Sequence, residues 1–157
     1  MSLENRLKDL FTQKNLTIAL AESCTGGLLA ARITDAAGSS AYFLGGVVSY
    51  AYSAKEDLLG VSFDVLEKEG AVSETVVKQM ARGARRRFGA DVAIGITGIA
   101  GPGGGTAEKP VGLVWIGLSD ESGSRAERFI WDSDREGNRE KSVEAALEML
   151  IAWAADH

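Results

Sequence analysis

Three short apolar runs, separated by stretches with helical periodicity, restrict this chain more than any other feature. Residues 16–22 (LTIALAE), 45–50 (GGVVSY) and 91–97 (DVAIGIT) each have the length and bulk of a buried strand. Residues 28–37 between the first two form a helical pattern closed by Gly38. Between the second and third, short helices are expected near 54–59 and 63–69. A longer one follows from the N-cap Ser73 with Glu74 in its first turn, along the stripe Val77, Met80, Ala81, Ala84 and Phe88. Crossover helices of this kind make successive strands parallel.

Two further strands, residues 111–118 and 125–131, have only the short DESGS turn at 120–124 between them. The fourth strand is therefore expected to run antiparallel. Helices also flank the set. Leu3, Leu7, Leu10 and Phe11 at one end, and Val143, Leu147, Leu150 and Ile151 at the other, follow an i, i+4, i+7, i+8 spacing. The expected fold is α/β: a five-stranded mixed sheet with helices on both faces. The 157 residues fit one domain, and a hydrophobic content of 45% supplies its core. No internal repeat or linker interrupts it.

Ligands of such sheets bind beyond the carboxyl ends of the parallel strands. Those ends carry the turns ESCTGG (22–27), SYAYSAK (49–55) and TGIAGP (97–102), so the most polar, glycine-bearing turns converge on one edge. Ser23 sits at a strand-to-helix junction, where backbone N–H groups can hold an oxyanion or phosphate. The alternative is that Ser23 or Thr25 simply caps the helix. Lys55 follows a strand end beside Tyr50 and Tyr52. A partly buried lysine loses its proton readily and can act as a base, whereas a surface lysine at a helix start would do nothing.

Low counts narrow the chemistry. The only histidine is His157, the last residue, so no imidazole is expected in the folded body and Ser-His-Asp or Cys-His sites are excluded. A Ser23–Lys55 pair is then the simplest route to a serine nucleophile. Cys24, the only cysteine, is the rival, although a lone cysteine beside a buried strand is usually a small core residue. One cysteine permits no internal disulfide and suits a reducing cytoplasm. Zinc sites built from Cys and His are excluded too.

The net charge of −5 argues against nucleic-acid partners. No run of about 18 apolar residues could span a bilayer, and the N-terminus lacks a signal peptide's apolar stretch. The segment 98–105 (GIAGPGGG) either cradles a phosphate through its backbone or forms a flexible hairpin. Arg82, Arg85, Arg86 and Arg87 are expected to complement a helix dipole. Asp132, Asp134, Arg135 and Arg139 either meet a phosphate or begin the last helix.

Taken in order, AESCTGG, GSSAYF, GGVVSYAYSAK, LLGV, EGAVSE, GITGIAGPGGG, EKPVG and DSDREGNR resemble the C-terminal domain of competence/damage-inducible protein A. The same domain occurs alone as nicotinamide-nucleotide amidohydrolase. The likeness runs from about Leu16 to Arg139 and implies a three-layer α/β/α fold. It implies hydrolysis of the carboxamide of nicotinamide mononucleotide to nicotinate mononucleotide and ammonia, without cofactor or metal, in pyridine-nucleotide recycling. Ser23 would be the nucleophile, Lys55 the general base and Tyr50 a supporting hydroxyl. Thr25 and Gly26 would lie at the oxyanion hole. Thr97, Gly98, Ala100 and Gly101 would line the nucleotide site, and Arg135, Arg139 or both would meet the phosphate.

Tyr52 stands where the family usually has asparagine, which bears on substrate choice or rate rather than fold. The larger N-terminal domain of fused members has no counterpart in these residues. A homo-oligomer is compatible with the resemblance, since family members self-associate. The alternatives are a non-catalytic nucleotide-binding module and an amidase for a related pyridine nucleotide.

Overall fold

The computed structural model describes all residues from Met1 to His157. Its elements, in order, are α1 (Leu3–Lys14), β1 (Ile18–Glu22), α2 (Leu28–Thr34), a 3-10 turn at Ser39–Ala41, β2 (Phe43–Val48), α3 (Tyr52–Leu59), α4 (Phe63–Glu69), α5 (Glu74–Phe88), β3 (Val92–Gly98), β4 (Leu113–Asp120), β5 (Gly123–Ile130) and α6 (Arg135–Ala155). The strands form one open sheet in the order β2-β1-β3-β4-β5. β1 is parallel to β2 and β3, and β4 is antiparallel to both β3 and β5, so the sheet is mixed as expected.

The alternation of large and small residues in β1 decides how the layers stack. Ile18 and Leu20 face a core built from α1, α2 and α6 around Leu7, Phe11, Leu29, Ile94, Ile116, Leu147 and Leu150. Each large side chain buried there contributes about 1.5–3 kcal/mol. Ala19, Ala21 and Ala93 face the other way, against Val76, Met80 and Ala84 of α5. Small residues let α5 lie almost on the sheet backbone: a Cβ on Gly95 or Gly117 would fall 2.9 or 2.7 Å from the Val77 carbonyl oxygen. The result is three layers, α/β/α.

Three details differ from the sequence expectation. β2 is Phe43–Val48 rather than 45–50, and it is not buried: its residues alternate between half-buried and exposed. It pairs only with β1, so it is an edge strand with one face left open. Tyr50 therefore lies in the turn beyond β2, where the chain bends into α3. The helix expected over 28–37 ends at Thr34, with Asp35 as its C-cap. Ser73, by contrast, caps α5 as expected, its hydroxyl accepting from the Val76 N–H at 3.3 Å.

α5 also touches α3 at Gly83, where a Cβ would lie 2.0 Å from the Leu59 carbonyl oxygen. Alanine in place of a mid-helix glycine normally stabilises by about 0.5–1 kcal/mol. Here Gly83→Ala is expected to destabilise, by roughly 1–3 kcal/mol as for other overpacked contacts. Denaturant unfolding checks the sign; a stabilised variant would show that the two helices are not held in contact.

Candidate active site

β1 ends in Glu22 and passes directly into the turn Ser23–Gly26, closed by the Gly26 N–H donating to the Ser23 carbonyl at 3.0 Å. α2 begins just beyond it. Its N-cap, Gly27, has φ +106° and offers no side-chain cap. The buried carboxylate of Glu22 takes that role. It accepts from the Leu29 N–H at 2.9 Å, the Ala30 N–H at 3.0 Å and the Thr25 hydroxyl at 2.6 Å. Neither Ser23 nor Thr25 caps the helix, and the Ser23 side chain is left for other contacts.

The contact it makes is with Lys55. This lysine has no exposed surface, which overturns the reading of it as a solvated helix residue. It lies in the first half of α3, and its Nζ stands 2.9 Å from Ser23 Oγ, 2.5 Å from the Ser49 carbonyl oxygen and 3.3 Å from that of Tyr50. In the neutral amine, two N–H bonds serve the two carbonyls and the lone pair faces the serine hydroxyl. Burial lowers the Lys55 pKa from 10.5 to about 8. Cys24 is also buried, and burial pushes its thiol up to about 11, so it stays protonated near neutrality.

Ser23 and Lys55 open onto a crevice of about 280 Å3, bordered by Cys24, Tyr50, Ala71, Val72, the 97–101 segment, Gly103, Gly104 and Arg135. Two larger concavities, each about 490 Å3, lie elsewhere. One is at the opposite end of the sheet, around Asp91, Asp120, Trp153 and His157, and the other is beside α5. In the first, the Ser122 hydroxyl donates to Asp120 at 2.7 Å, and His157, expected to lie outside the folded body, is instead stacked on Trp153 with Nε2 3.9 Å from the same carboxylate. Neither concavity sets a serine against a buried amine, so chemistry rather than volume selects the crevice.

The remaining sequence candidates divide by what they touch. Thr97 donates to the Ala71 carbonyl at 2.9 Å, which fixes one wall. Gly98 packs so closely on β4 that a Cβ would fall 2.6 Å from Val114 Cγ2. The Ala100 and Gly101 carbonyls accept from Asn138 Nδ2 at 2.9 Å and Arg135 Nη1 at 2.7 Å. The Gly26 N–H is committed to the turn, whereas the N–H groups of Cys24 and Thr25 donate to no protein acceptor. The Tyr50 hydroxyl meets Arg135 Nη2 at 3.3 Å, not Ser23 or Lys55; it is the Tyr50 main-chain carbonyl that holds the lysine. Arg139 is turned to another use: Nε and Nη2 donate to the Cys24 and Thr25 carbonyls at 3.1 and 3.0 Å. Arg135 borders the crevice and Arg139 grips the turn behind Ser23.

Tyr52 begins α3, and its hydroxyl accepts from the Ala71 N–H at 3.3 Å, so this phenol braces the Ala71–Val72 wall. Glu22 and Asn138 escaped the sequence reading. Asn138 carried a usable signal, since with Ser142 it puts polar groups at i, i+4 on the buried face of α6. Glu22 carried only that of a charge at the end of an apolar run.

Comparison with known proteins agrees with this architecture. The sequence model of the family described as CinA C-terminal domain matches residues 1–153. The chain belongs to this family. A CinA-like protein of Geobacter sulfurreducens is 50% identical over 149 residues, which is 95% of this chain and 36% of that protein. A putative competence-damage inducible protein of Moorella thermoacetica is 49% identical over 95% of this chain and 36% of its own length. The chain thus spans about a third of the curated relatives it matches. Among solved structures, competence/damage inducible protein CihA from Agrobacterium tumefaciens superposes with a TM-score of 0.91 at 44% identity, covering 97% of this chain and 98% of that one. A CinA superfamily protein from Klebsiella pneumoniae gives 0.94 at 34% identity, covering 99% and 97%. No helix of this CinA-family chain is long and apolar enough to cross a membrane.

The lowered Lys55 pKa has a consequence for stability. Between about 8 and 10.5 the unfolded chain holds a proton that the native lysine has lost. Native stability should therefore rise with pH across that window, and below it the fold carries a desolvated charge. Lys55→Met is expected to melt above wild type at neutral pH and to lose the rise between pH 8 and 10.5. Melting curves across that range check this, and a variant that melts lower at neutral pH while keeping the rise would contradict it.

Proposed function

We propose that this CinA-family domain is an amidohydrolase acting through a Ser23–Lys55 pair, with nicotinamide mononucleotide as substrate. The observation that carries the reaction type is the 2.9 Å contact between Ser23 Oγ and the Nζ of a fully buried lysine. The choice of substrate rests on the motif resemblance, and the crevice supports it by placing Arg135 and a glycine-rich wall beside the nucleophile.

The contacts support one sequence of steps. Neutral Lys55 takes the Ser23 proton while Oγ attacks the carboxamide carbon. The negative charge that develops on the amide oxygen meets the unpartnered N–H groups of Cys24 and Thr25. As the tetrahedral intermediate collapses, the C–N bond breaks and Lys55 returns its proton to the departing nitrogen, which leaves as ammonia. Water, deprotonated by the same amine, then cleaves the acyl-serine ester and restores Ser23. The base is needed in its neutral form, so the rate should rise with pH through the Lys55 titration near 8.

The phosphate falls to Arg135, because its guanidinium borders the crevice, whereas that of Arg139 lies on the carbonyls of the turn and does not. A planar guanidinium matches phosphate bidentately. In an ammonia-release assay with nicotinamide mononucleotide, Ser23→Ala should lose activity by on the order of 10⁴. Arg135→Ala should raise KM by roughly ten- to a hundredfold, the worth of a charge-assisted hydrogen bond. Arg139→Ala should instead lower kcat. Retained activity in Ser23→Ala with loss in Cys24→Ala would overturn the nucleophile. The absence of ammonia release from the wild-type protein would overturn the substrate.

A further inference from the structure

The arginines of α5 take no part in that reaction, and the fold does not use them uniformly. Arg85, Arg86 and Arg87 stand in the last turn of α5, where cations complement the helix dipole. Arg82 lies one turn earlier. Arg85 turns aside, its Nε donating to the Asp91 carbonyl at 3.3 Å. Arg82, Arg86 and Arg87 instead border a single concavity of about 490 Å3, together with Gln79 and the segment Leu58–Gly60 at the end of α3.

No carboxylate borders this concavity, and the arginine and lysine ion pairs of the chain all lie elsewhere. Arg87 Nη1 donates to the Leu58 carbonyl at 3.3 Å, which holds one guanidinium at the rim. Arg82 and Arg86 have no hydrogen-bond or ion-pair partner. Like charges at i, i+4 disfavour a helix, so Arg82 and Arg86 repel one another, and only the helix dipole offsets the second. The floor is main chain, because Gly83 brings α5 into contact with the Leu59 carbonyl. A local surplus of three cations in a chain of net charge −5 concentrates anions at one spot.

We propose that this concavity is a second ligand site, separate from the crevice, that takes a compact polyanion of the di- or triphosphate class. Three guanidiniums spaced around one hollow suit a chain of phosphates better than a single one, since each fork can engage two oxygens. No aromatic side chain borders the hollow, so a nucleobase has nothing to stack on. Recognition rests on the phosphates, whether they come as inorganic polyphosphate or as a nucleotide.

The test is calorimetric titration of the full chain with inorganic triphosphate and with adenosine triphosphate at low salt. Arg82→Ala and Arg86→Ala probe the new site, and Arg135→Ala the crevice. All three side chains are exposed, and circular dichroism verifies the fold of each variant. The expected result is a dissociation constant below about 1 mM for both ligands, alike within about threefold. Arg82→Ala and Arg86→Ala should each weaken binding about tenfold, and Arg135→Ala should leave it unchanged. No binding by the wild-type protein, or binding lost in Arg135→Ala but kept in the α5 variants, would overturn the proposal. So would a nucleotide bound far more tightly than triphosphate, which would place recognition on the base.

Discussion

The Glu22 carboxylate, buried at the end of β1, holds the candidate site in shape. A carboxylate removed from water must be fully hydrogen-bonded to persist. Glu22 meets that requirement with two N–H groups of α2 and the Thr25 hydroxyl. Strand, turn and helix are thereby locked to one another over nine residues, and Ser23 lies between the fixed points. On the far side of the turn, Arg139 binds the Cys24 and Thr25 carbonyls. In a trans peptide the C=O and the following N–H point in opposite directions. A guanidinium on the Cys24 carbonyl therefore turns the Thr25 N–H away from itself, leaving that donor without a protein partner.

Lys55 is the complementary device. It enters from the short helix α3, whose C-terminal end is held by contact with α5 at Gly83. Two main-chain carbonyls on the way into α3 fix its amine, so the residue is placed by backbone rather than by a carboxylate. That distinction matters, because an acidic partner would hold the lysine charged. Carbonyl dipoles and burial leave an amine that can be neutral near physiological pH. In the proposed reaction, the absence of a counter-ion is what frees the amine to act as a base, at a cost to the stability of the fold.

Much of this was legible in the residues. The spacing of apolar runs and helical stripes gave the strand count, the antiparallel fourth strand and the edge on which the turns converge. The scarcity of histidine and cysteine pointed to a serine–lysine pair, and the structure brings those two side chains together. Errors arose where sequence pattern does not encode depth or partners. The apolar run of β2 is as hydrophobic as that of β1, but its place at the sheet edge leaves Val48 half exposed. Arg135 and Arg139 are the same residue type one helical turn apart. Only the turn behind Ser23 decides that the second is used on main-chain carbonyls. Glu22 looked like a strand-ending charge, because its partners include the N–H groups of residues seven and eight positions later.

The proposed reaction depends on Lys55 losing its proton at a pH where Ser23 must be activated. The most direct measurement is a nuclear magnetic resonance titration of the Lys55 side chain in isotope-labelled protein, assigned by comparison with Lys55→Met. A midpoint near 8 is the predicted result. A midpoint at the ordinary 10.5 would show a lysine held charged, and would contradict its role as the base for Ser23.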